Sequence, residues 1–561
     1  MISSLSSSQR ENAAVTVLTI VGAVLRLWQF GRLGLQHFDE GIYALSSLWV
    51  LRPGGVATIE PSLIPYAPPG FPILVGLSYL ALGVSDLSAI AVSAGCGIAT
   101  IPVTAWLARR TFGTGAGPAA AAFAALAGPH IAFSRVALTD VPFLLAWLIS
   151  LGLGVRFLER PGFGRAVGFG LAVGLAQNLK YNGWLAGAIV GIVALLDAVL
   201  RRGEKRHVEG RALAIGLAAA LVAAAVYWPW YDFVERHGGY AGLLAHHRSY
   251  MGGPAAWWPH WKLQMAQATA LEGGRGWGLL TWLLVVFAAG LSLLGVVPAR
   301  TGRRTRISLA LGLFSLGCLL EVVASLPWWV ALCWAPWLLR DAHPGARVVA
   351  TWWLVLSVVT PLYHPYARLW LPLLAAGWIV MGGVAAAILR HCASPTQKLS
   401  LRTLAWPVGC ALLALGQAFL LEPHATPLPG LLGPTDSLRR GVEIATAHLP
   451  EAVPGLRLLV RPPVTFYLAG KVPAQVEAGL EGLLDPGDAR WWALVDVAQV
   501  RAEADPTRAK ARLLERWDVV QEVTTELNLP TLLDLDPAAV SGGSKNRSAP
   551  LWLMRPRRGA R

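Results

Sequence analysis

Charged side chains make up only 14% of this 561-residue chain, against 55% hydrophobic residues. So thin a supply of charge excludes an ordinary soluble globule. Cysteine is equally sparse: Cys96, Cys318, Cys333, Cys392 and Cys410 all lie in or beside apolar segments. They leave no disulfide framework for the polar C-terminal region and no CxxC metal site. The first apolar run follows a Ser-rich, barely charged start and lacks a small-residue cleavage site, so it reads as an uncleaved span and not a signal peptide. No repeat of solenoid type is visible. Acidic residues are outnumbered, 32 against 47 Lys plus Arg, for a net charge of +15. The cations nevertheless fall in short clusters between apolar runs, which is the pattern of membrane-orienting loops and not of a nucleic-acid surface.

What the chain does have is long hydrophobic runs, at 12–30, 88–108, 116–133, 141–158, 166–180, 183–200, 211–230, 276–297, 307–324, 326–339, 347–362, 369–389 and 404–421. These predict a polytopic α-helical membrane protein of about thirteen transmembrane helices. Basic clusters at 109–110, 156–165, 201–211, 300–306, 340–347 and 390–402 alternate with non-basic connections and are expected to be cytoplasmic. The alternation holds if the short apolar segment 71–84, after Pro68-Pro69, lies at the surface within the first outer loop, 31–87. Residues 1–421 then form a multi-pass domain of the inner or plasma membrane with a cytoplasmic N-terminus. Residues 422–561 form a small extracytoplasmic α/β domain, with strand-like runs at 456–460, 491–497 and 518–523 and helix-like runs at 438–448 and 507–517. The stretch 541–561 is expected to be loose and basic. Tryptophan is abundant, 25 residues in all, and the pairs Trp257-Trp258 and Trp328-Trp329 fit interfacial belts.

This topology gathers scattered polar residues on the outer face. Asp39 and Glu40 follow the first span, Arg135, Thr139 and Asp140 separate the third and fourth, and Lys180, Tyr181 and Asn182 separate the fifth and sixth. Tyr363-His364-Pro365-Tyr366-Ala367-Arg368 lies between the eleventh and twelfth. Transfer from a lipid-phosphate donor requires a carboxylate to take a proton and cations to stabilise the departing phosphate, and this set contains both. Asp39 is the candidate base. Its neighbour Glu40 is expected to orient a loop or hold backbone, since adjacent residues seldom point at one substrate. Asp140 is the third candidate catalytic carboxylate, or else a helix N-cap before the fourth span.

Lys180 and Arg368 are the expected phosphate contacts, with snorkelling to the headgroups as the alternative. Arg135, Tyr181, His364, Tyr366 and Tyr66 complete the candidate donor and substrate-binding set. For His364 the alternative is a loop hydrogen bond. The outer loop 231–275 carries His246-His247-Arg248 and Trp257-Trp258-Pro259-His260-Trp261, suited to lying on lipid or gripping a phosphate head. No cofactor or metal ligand set is assigned. A divalent metal is left open, with His246, His247 and Glu60 sharing no fixed ligand spacing.

Several blocks resemble the GT-C class of integral-membrane glycosyltransferases, in the branch of dolichyl-phosphate-mannose protein mannosyltransferase-like and aminoarabinose lipid A transferase-like enzymes. They are Asp39-Glu40-Gly41-Ile42-Tyr43, Tyr66 to Gly70 leading into Phe71-Pro72-Ile73-Leu74 and Gly83-Val84-Ser85-Asp86, Ser134-Arg135-Val136-Ala137-Leu138-Thr139-Asp140-Val141-Pro142-Phe143, Gly174-Leu175-Ala176 to Lys180-Tyr181, and His364-Pro365-Tyr366-Ala367-Arg368-Leu369. The chain departs from the pattern where no Lys or His precedes Pro68-Pro69 and where Gln177-Asn178-Leu179 replaces the usual Thr before Lys180. The resemblance implies transfer of a hexose or pentose from a polyprenyl-phosphate carrier to an acceptor hydroxyl on a glycan, lipid or protein, with inversion at the anomeric carbon. By position it makes Asp39 the catalytic carboxylate and Asp140 the second acid, with Lys180 and Arg368 near the lipid phosphate. A lipid-linked sugar flippase or transporter is the rival, and it calls for ionisable residues near mid-span. Glu321 and Asp197 are the main candidates for that role, and both fall near span ends. A scaffold would need no outer-face acids.

Overall fold

The computed structural model describes residues 6–51, 67–200, 206–272, 343–393 and 426–557, the last with breaks at 427, 451–452, 470, 485–489, 502 and 536–547. Its N-terminal part is helical: α1 (Ser7–Leu27), α2 (Phe38–Leu51), α3 (Gly70–Leu82), α4 (Asp86–Phe112), α5 (Ala116–Leu126), α6 (Gly128–Phe133), α7 (Asp140–Glu159), α8 (Phe163–Leu179), α9 (Leu185–Leu200), α10 (Arg206–Arg236), α11 (Gly239–Arg248), α12 (Gly253–Ala270), α13 (Pro344–Val359) and α14 (Leu371–Ala393). Apolar helices of this length bury their backbone polar groups internally, as a bilayer demands. Ser8–Arg32, Asp86–Phe112, Asp140–Glu159, Ile215–Arg236 and Pro344–Leu362 are long and apolar enough to cross. The expected spans at 276–297, 307–324, 326–339 and 404–421 lie outside the described residues, and the others coincide with helices. Helix α3 has 13 residues, a rise of roughly 20 Å against the ~30 Å of a bilayer core.

The run 116–133, expected as one span, is two helices. Pro129 lacks an N–H and cannot continue the α5 ladder. Gly128 is packed so closely that a Cβ there would lie 1.7 Å from the Leu271 carbonyl oxygen. The break frees carbonyls at the end of α5, and the buried Arg26 of α1 donates to those of Ala124 and Ala125, both at 3.0 Å. An opened helix end inside the bundle is thereby satisfied.

Ion pairs separate the two ends of the bundle. At one end Arg110 at the close of α4 pairs with Glu159 at the close of α7, His343 Nε2 lies 3.7 Å from Glu159, and Arg347 of α13 pairs with Asp197 of α9. These are residues of the basic clusters or their immediate neighbours. The start of α2, the start of α7, residues 180–182 and the segment 363–370 lie together at the opposite end, on which the C-terminal region is packed.

That C-terminal region is a mixed five-stranded sheet in the order β2-β1-β3-β5-β4, built from β1 (Leu456–Leu459), β2 (Ala474–Val476), β3 (Trp492–Asp496), β4 (Trp517–Val523) and β5 (Leu551–Pro556). β1 runs parallel to β2 and β3, while β5 is antiparallel to both β3 and β4. Helices α15 (Ser437–Ala447), α16 (Pro462–Leu468), α17 (Pro506–Arg516) and α18 (Leu529–Leu535) flank it. One expectation is overturned: the stretch taken as loose and basic contains β5, an inner strand. Leu551, Trp552, Leu553 and Met554 are all buried, and a strand covered on both faces reads as a short apolar run without alternation. Its basic neighbours, Arg555 and Arg557, conceal it in composition.

The sheet domain grips the chain just ahead of α2. Tyr467 Oη accepts the Leu35 N–H at 2.7 Å, Arg461 Nη1 donates to the Gln36 carbonyl at 2.9 Å, and Gln36 Nε2 donates to the Thr435 carbonyl at 2.7 Å. Arg439 pairs with Asp86 at 2.9 Å. Contact between α2 and α16 is closest at Gly41, where a Cβ would lie 2.2 Å from the Pro463 nitrogen; only glycine fits there.

Candidate active site

The first turn of α2 separates the two adjacent acids. The His37 carbonyl accepts the Gly41 N–H at 3.3 Å and its Nδ1 accepts the Asp39 N–H at 3.0 Å, so the imidazole caps the helix. Three positions into the helix, Glu40 reaches back: its Oε2 accepts the N–H groups of Gln36 and His37, both at 2.8 Å. This is the return half of a capping box, with histidine in the cap position. Its other oxygen accepts the Ala137 N–H at 2.7 Å. Burial pushes the Glu40 carboxyl above its ordinary range, against the pull of those three N–H groups. The capping contacts commit Glu40 to backbone and leave Asp39 beside it with a carboxylate for other work.

Asp39 Oδ2 lies 2.7 Å from Arg368 Nη1, an ion pair that joins α2 to the segment before α14. The same guanidinium is 4.0 Å from Asp140 Oδ2, and Asp140 is also paired with Lys180. A third carboxylate arrives from the sheet domain: Asp534 Oδ2, on α18, is 3.0 Å from Arg368 Nε and 3.2 Å from His37 Nε2. Carboxylates and cations thus alternate through contact distance. Of the three carboxylates only Asp39 keeps appreciable access to solvent, its side chain being 32% exposed against 2% for Asp140 and 1% for Asp534.

Burial pushes the Asp39 carboxyl up, yet the charges of Arg368 and His37 outweigh it and hold the group below the ordinary carboxylate value. For His37, burial works against protonation, but the 3.2 Å contact with Asp534 and the nearby charge of Asp39 more than compensate and its pKa is raised. Because Nδ1 accepts the Asp39 N–H, the neutral imidazole carries its proton on Nε2, toward Asp534.

Four of the residues singled out in the sequence, Asp39, Asp140, Lys180 and Arg368, therefore meet. Asp140 opens α7 but makes no side-chain cap: Thr139 holds the cap position, also without a side-chain capping bond, and the Asp140 carboxylate turns to Lys180. Arg135 stands apart, its guanidinium spent on the carbonyls of Leu25, Arg26, Trp28, Leu432 and Gly433 at 2.6–3.4 Å. Tyr366 packs its ring 4.9 Å from the Arg368 guanidinium carbon, and His364 lies against Tyr366 with ring centroids 4.4 Å apart. Tyr181 accepts the Trp230 indole N–H at 3.0 Å and meets His247 edge-on. Tyr66, Glu60 and Glu321 lie outside the described residues. Asp197, the other transporter candidate, is paired with Arg347 at the far end of the bundle.

Among the described residues no group of three or more His, Cys, Asp and Glu side chains is placed to hold a metal ion. Sequence reasoning missed His37 as an interaction partner and Asp534 altogether. The signal for His37 was the spacing His37-x-x-Glu40 of a capping box. For Asp534 the one trace was a lone acid in the apolar run 529–535.

A sequence family described as dolichyl-phosphate-mannose-protein mannosyltransferase matches residues 66–230. The oligosaccharyltransferase of Archaeoglobus fulgidus in its apo form superposes with a TM-score of 0.52 at 12% identity, over 89% of this chain and 72% of that one; this likeness is one of fold. ArnT from Cupriavidus metallidurans bound to undecaprenyl phosphate aligns over 96% of this chain and 97% of its own, with 18% identity and a TM-score of 0.47. The Saccharomyces cerevisiae protein O-mannosyltransferase Pmt1-Pmt2 complex bound to the sugar donor aligns over 41% of this chain and 34% of its own, with 20% identity and a TM-score of 0.33. No curated protein matches the chain.

Proposed function

We propose that this chain, a membrane protein with the GT-C glycosyltransferase fold, moves a hexose or pentose from a polyprenyl-phosphate carrier to an acceptor hydroxyl. The reaction takes place on the extracytoplasmic face of the inner or plasma membrane, which is also the side of the 422–561 domain. The observation that carries this reading is the contact of Asp39 with Arg368 at 2.7 Å, in one cluster with Asp140 and Lys180. A base and a pair of cations at contact distance are the two components that an inverting single displacement needs.

In this scheme the acceptor oxygen attacks the anomeric carbon. The bond from that carbon to the phosphate oxygen breaks with its electron pair, and the hydroxyl proton passes to the Asp39 carboxylate. Arg368 and Lys180 receive the charge of the departing polyprenyl phosphate. An ion-paired carboxylate is a weak base. When the donor phosphate draws Arg368 toward itself, Asp39 is relieved of that charge and its basicity rises. Donor binding and base activation are thereby the same event.

The acceptor is a glycan, a lipid or a protein. The test is release of polyprenyl phosphate from a panel of labelled lipid-linked hexoses and pentoses. Asp39→Asn is expected to lose roughly 10²–10⁴-fold of turnover, the usual worth of a positioned base. Full turnover by that variant refutes the base assignment.

A further inference from the structure

We infer that Asp534, carried into the membrane site by the C-terminal domain, is a positioning residue for the transfer reaction: it sets the orientation of both the phosphate-facing cation and the imidazole that caps the helix of the base. The inference rests on the reading above of Asp39 and Arg368.

The geometry is that of one oxygen serving two cationic or protonated groups. Asp534 Oδ2 is 3.0 Å from Arg368 Nε and 3.2 Å from His37 Nε2. Nε is the inner edge of the guanidinium. A carboxylate placed on it fixes the plane of the fork while the outer Nη1 meets Asp39 at 2.7 Å. A lysine has no such inner edge. At His37 the carboxylate takes the Nε2 side and so keeps Nδ1 as the acceptor of the Asp39 N–H at 3.0 Å. One side chain thus governs both neighbours of the candidate base, from two directions.

Asp534 is itself well held. Its side chain is 1% exposed, and Thr531, Leu532 and Leu533 of the same helix are buried. Asn528, just ahead of that helix, donates its backbone N–H to Gln36 Oε1 at 2.5 Å, which ties α18 to the residue preceding His37. Both of its oxygens are buried and neither makes a hydrogen bond of good geometry among the described residues, so Oδ2 meets Arg368 and His37 as ion-pair contacts. A buried carboxylate is costly to keep and is retained here against two positively polarised groups, away from the Lys180–Asp140 pair. The charged groups around it are Arg368 and His37 directly, then Asp39 and Asp140 through Arg368.

Removing the Asp534 charge leaves Arg368 with more uncompensated charge and less fixed direction. Phosphate capture should then be unimpaired or stronger, while the fraction of bound donors in reactive alignment falls. Loss of a merely structural contact would weaken capture and turnover together. The experiment compares wild type, Asp534→Asn, Arg368→Lys, their double variant, Asp39→Asn and, as a packing control on the same helix, Leu533→Ala. Turnover is read on the panel of labelled polyprenyl-phosphate sugars, and binding on undecaprenyl phosphate by tryptophan fluorescence.

Asp534→Asn is expected to lower kcat at least tenfold with undecaprenyl phosphate bound as tightly as in wild type or tighter, a split that Leu533→Ala does not show. Arg368→Lys gives the same split, and the double variant is no slower than the slower single. Unchanged kcat in Asp534→Asn, parallel losses of kcat and undecaprenyl phosphate binding, or additive losses in the double variant each overturn the inference. If Asp534→Asn does not fold, unchanged kcat in Arg368→Lys overturns it. An inactive Asp39→Asn beside a fully active Asp534→Asn refutes this inference alone, whereas an active Asp39→Asn refutes the proposed function on which it rests.

Discussion

Arg368 Nη1 and Asp39 Oδ2 lie 2.7 Å apart, although 329 residues separate them in the chain. The contact joins the first turn of α2 to the entry of α14 and sets the acidity of the candidate base. Burial alone would raise the Asp39 pKa, and the arginine is the largest influence that lowers it.

Replacing Arg368 by Gln should therefore move the acidic limb of the kcat/KM profile to higher pH. In wild type the limb belonging to Asp39 lies below the ordinary 3.8; without the guanidinium, burial is opposed only by more distant charges. Turnover as a function of pH checks this, and an unmoved limb in Arg368→Gln removes Arg368 as its cause. The linkage has a matching sign. A depressed carboxylate contributes stability above its unfolded pKa and loses it as pH falls through the folded value. The difference in melting midpoint between wild type and Asp39→Asn should thus shrink between pH 7 and pH 3.

The Lys180–Asp140 pair is asymmetric, with side chains 23% and 2% exposed. Lys180→Met strands a buried carboxylate whose next cation, Arg368, is 4.0 Å away, and should cost about 3 kcal/mol. Asp140→Asn leaves a lysine that can turn to water and should cost under about 1 kcal/mol. Thermal unfolding in detergent measures both, and equal costs would contradict the burial asymmetry.

Glu40→Ala leaves the N–H groups of Gln36, His37 and Ala137 without their acceptor. At about 1 kcal/mol for each lost bond the expected cost is about 3 kcal/mol. The melting midpoint of this variant should fall further than that of Asp39→Asn, which removes no backbone bond.

Gly41→Ala would place a methyl group 2.2 Å from the Pro463 nitrogen and 2.4 Å from the Pro462 carbonyl carbon. Backbone on both sides of the contact cannot yield cheaply, so the sheet domain should lift from α2. Faster limited proteolysis of the 426–557 region, with a parallel loss of turnover, is the expected result.

Much of the site was legible because its members flank apolar runs. Asp39, Asp140, Lys180 and Arg368 each stand at the end of a span, and the alternation of basic clusters sorts span ends into two sets. That Glu40 would hold backbone was readable in outline from adjacency, although the histidine cap beside it was not. Asp534 was illegible for a physical reason. It belongs to the C-terminal sheet region, and no local pattern records where such a region docks. Leu529-Pro530-Thr531-Leu532-Leu533-Asp534-Leu535 looks like an ordinary half-buried helix with one outward acid. Strand β5 was hidden by the arginines around it. The break at Gly128-Pro129 was visible as residues, but a run of spanning length favoured a single helix.

The position of β5 has a consequence for the order of assembly. It is the last of the described strands and lies between β3 and β4, so β4 can join the sheet only after β5 has been made. Asp534 lies between β4 and β5 in sequence. On a ribosome the helices bearing Asp39, Asp140, Lys180 and Arg368 emerge and insert long before the carboxylate that meets Arg368 and His37 can be seated. The cluster is therefore completed late in synthesis, and a chain that loses β5 would keep the acids and cations of its helices but lose the strand to which β4 pairs.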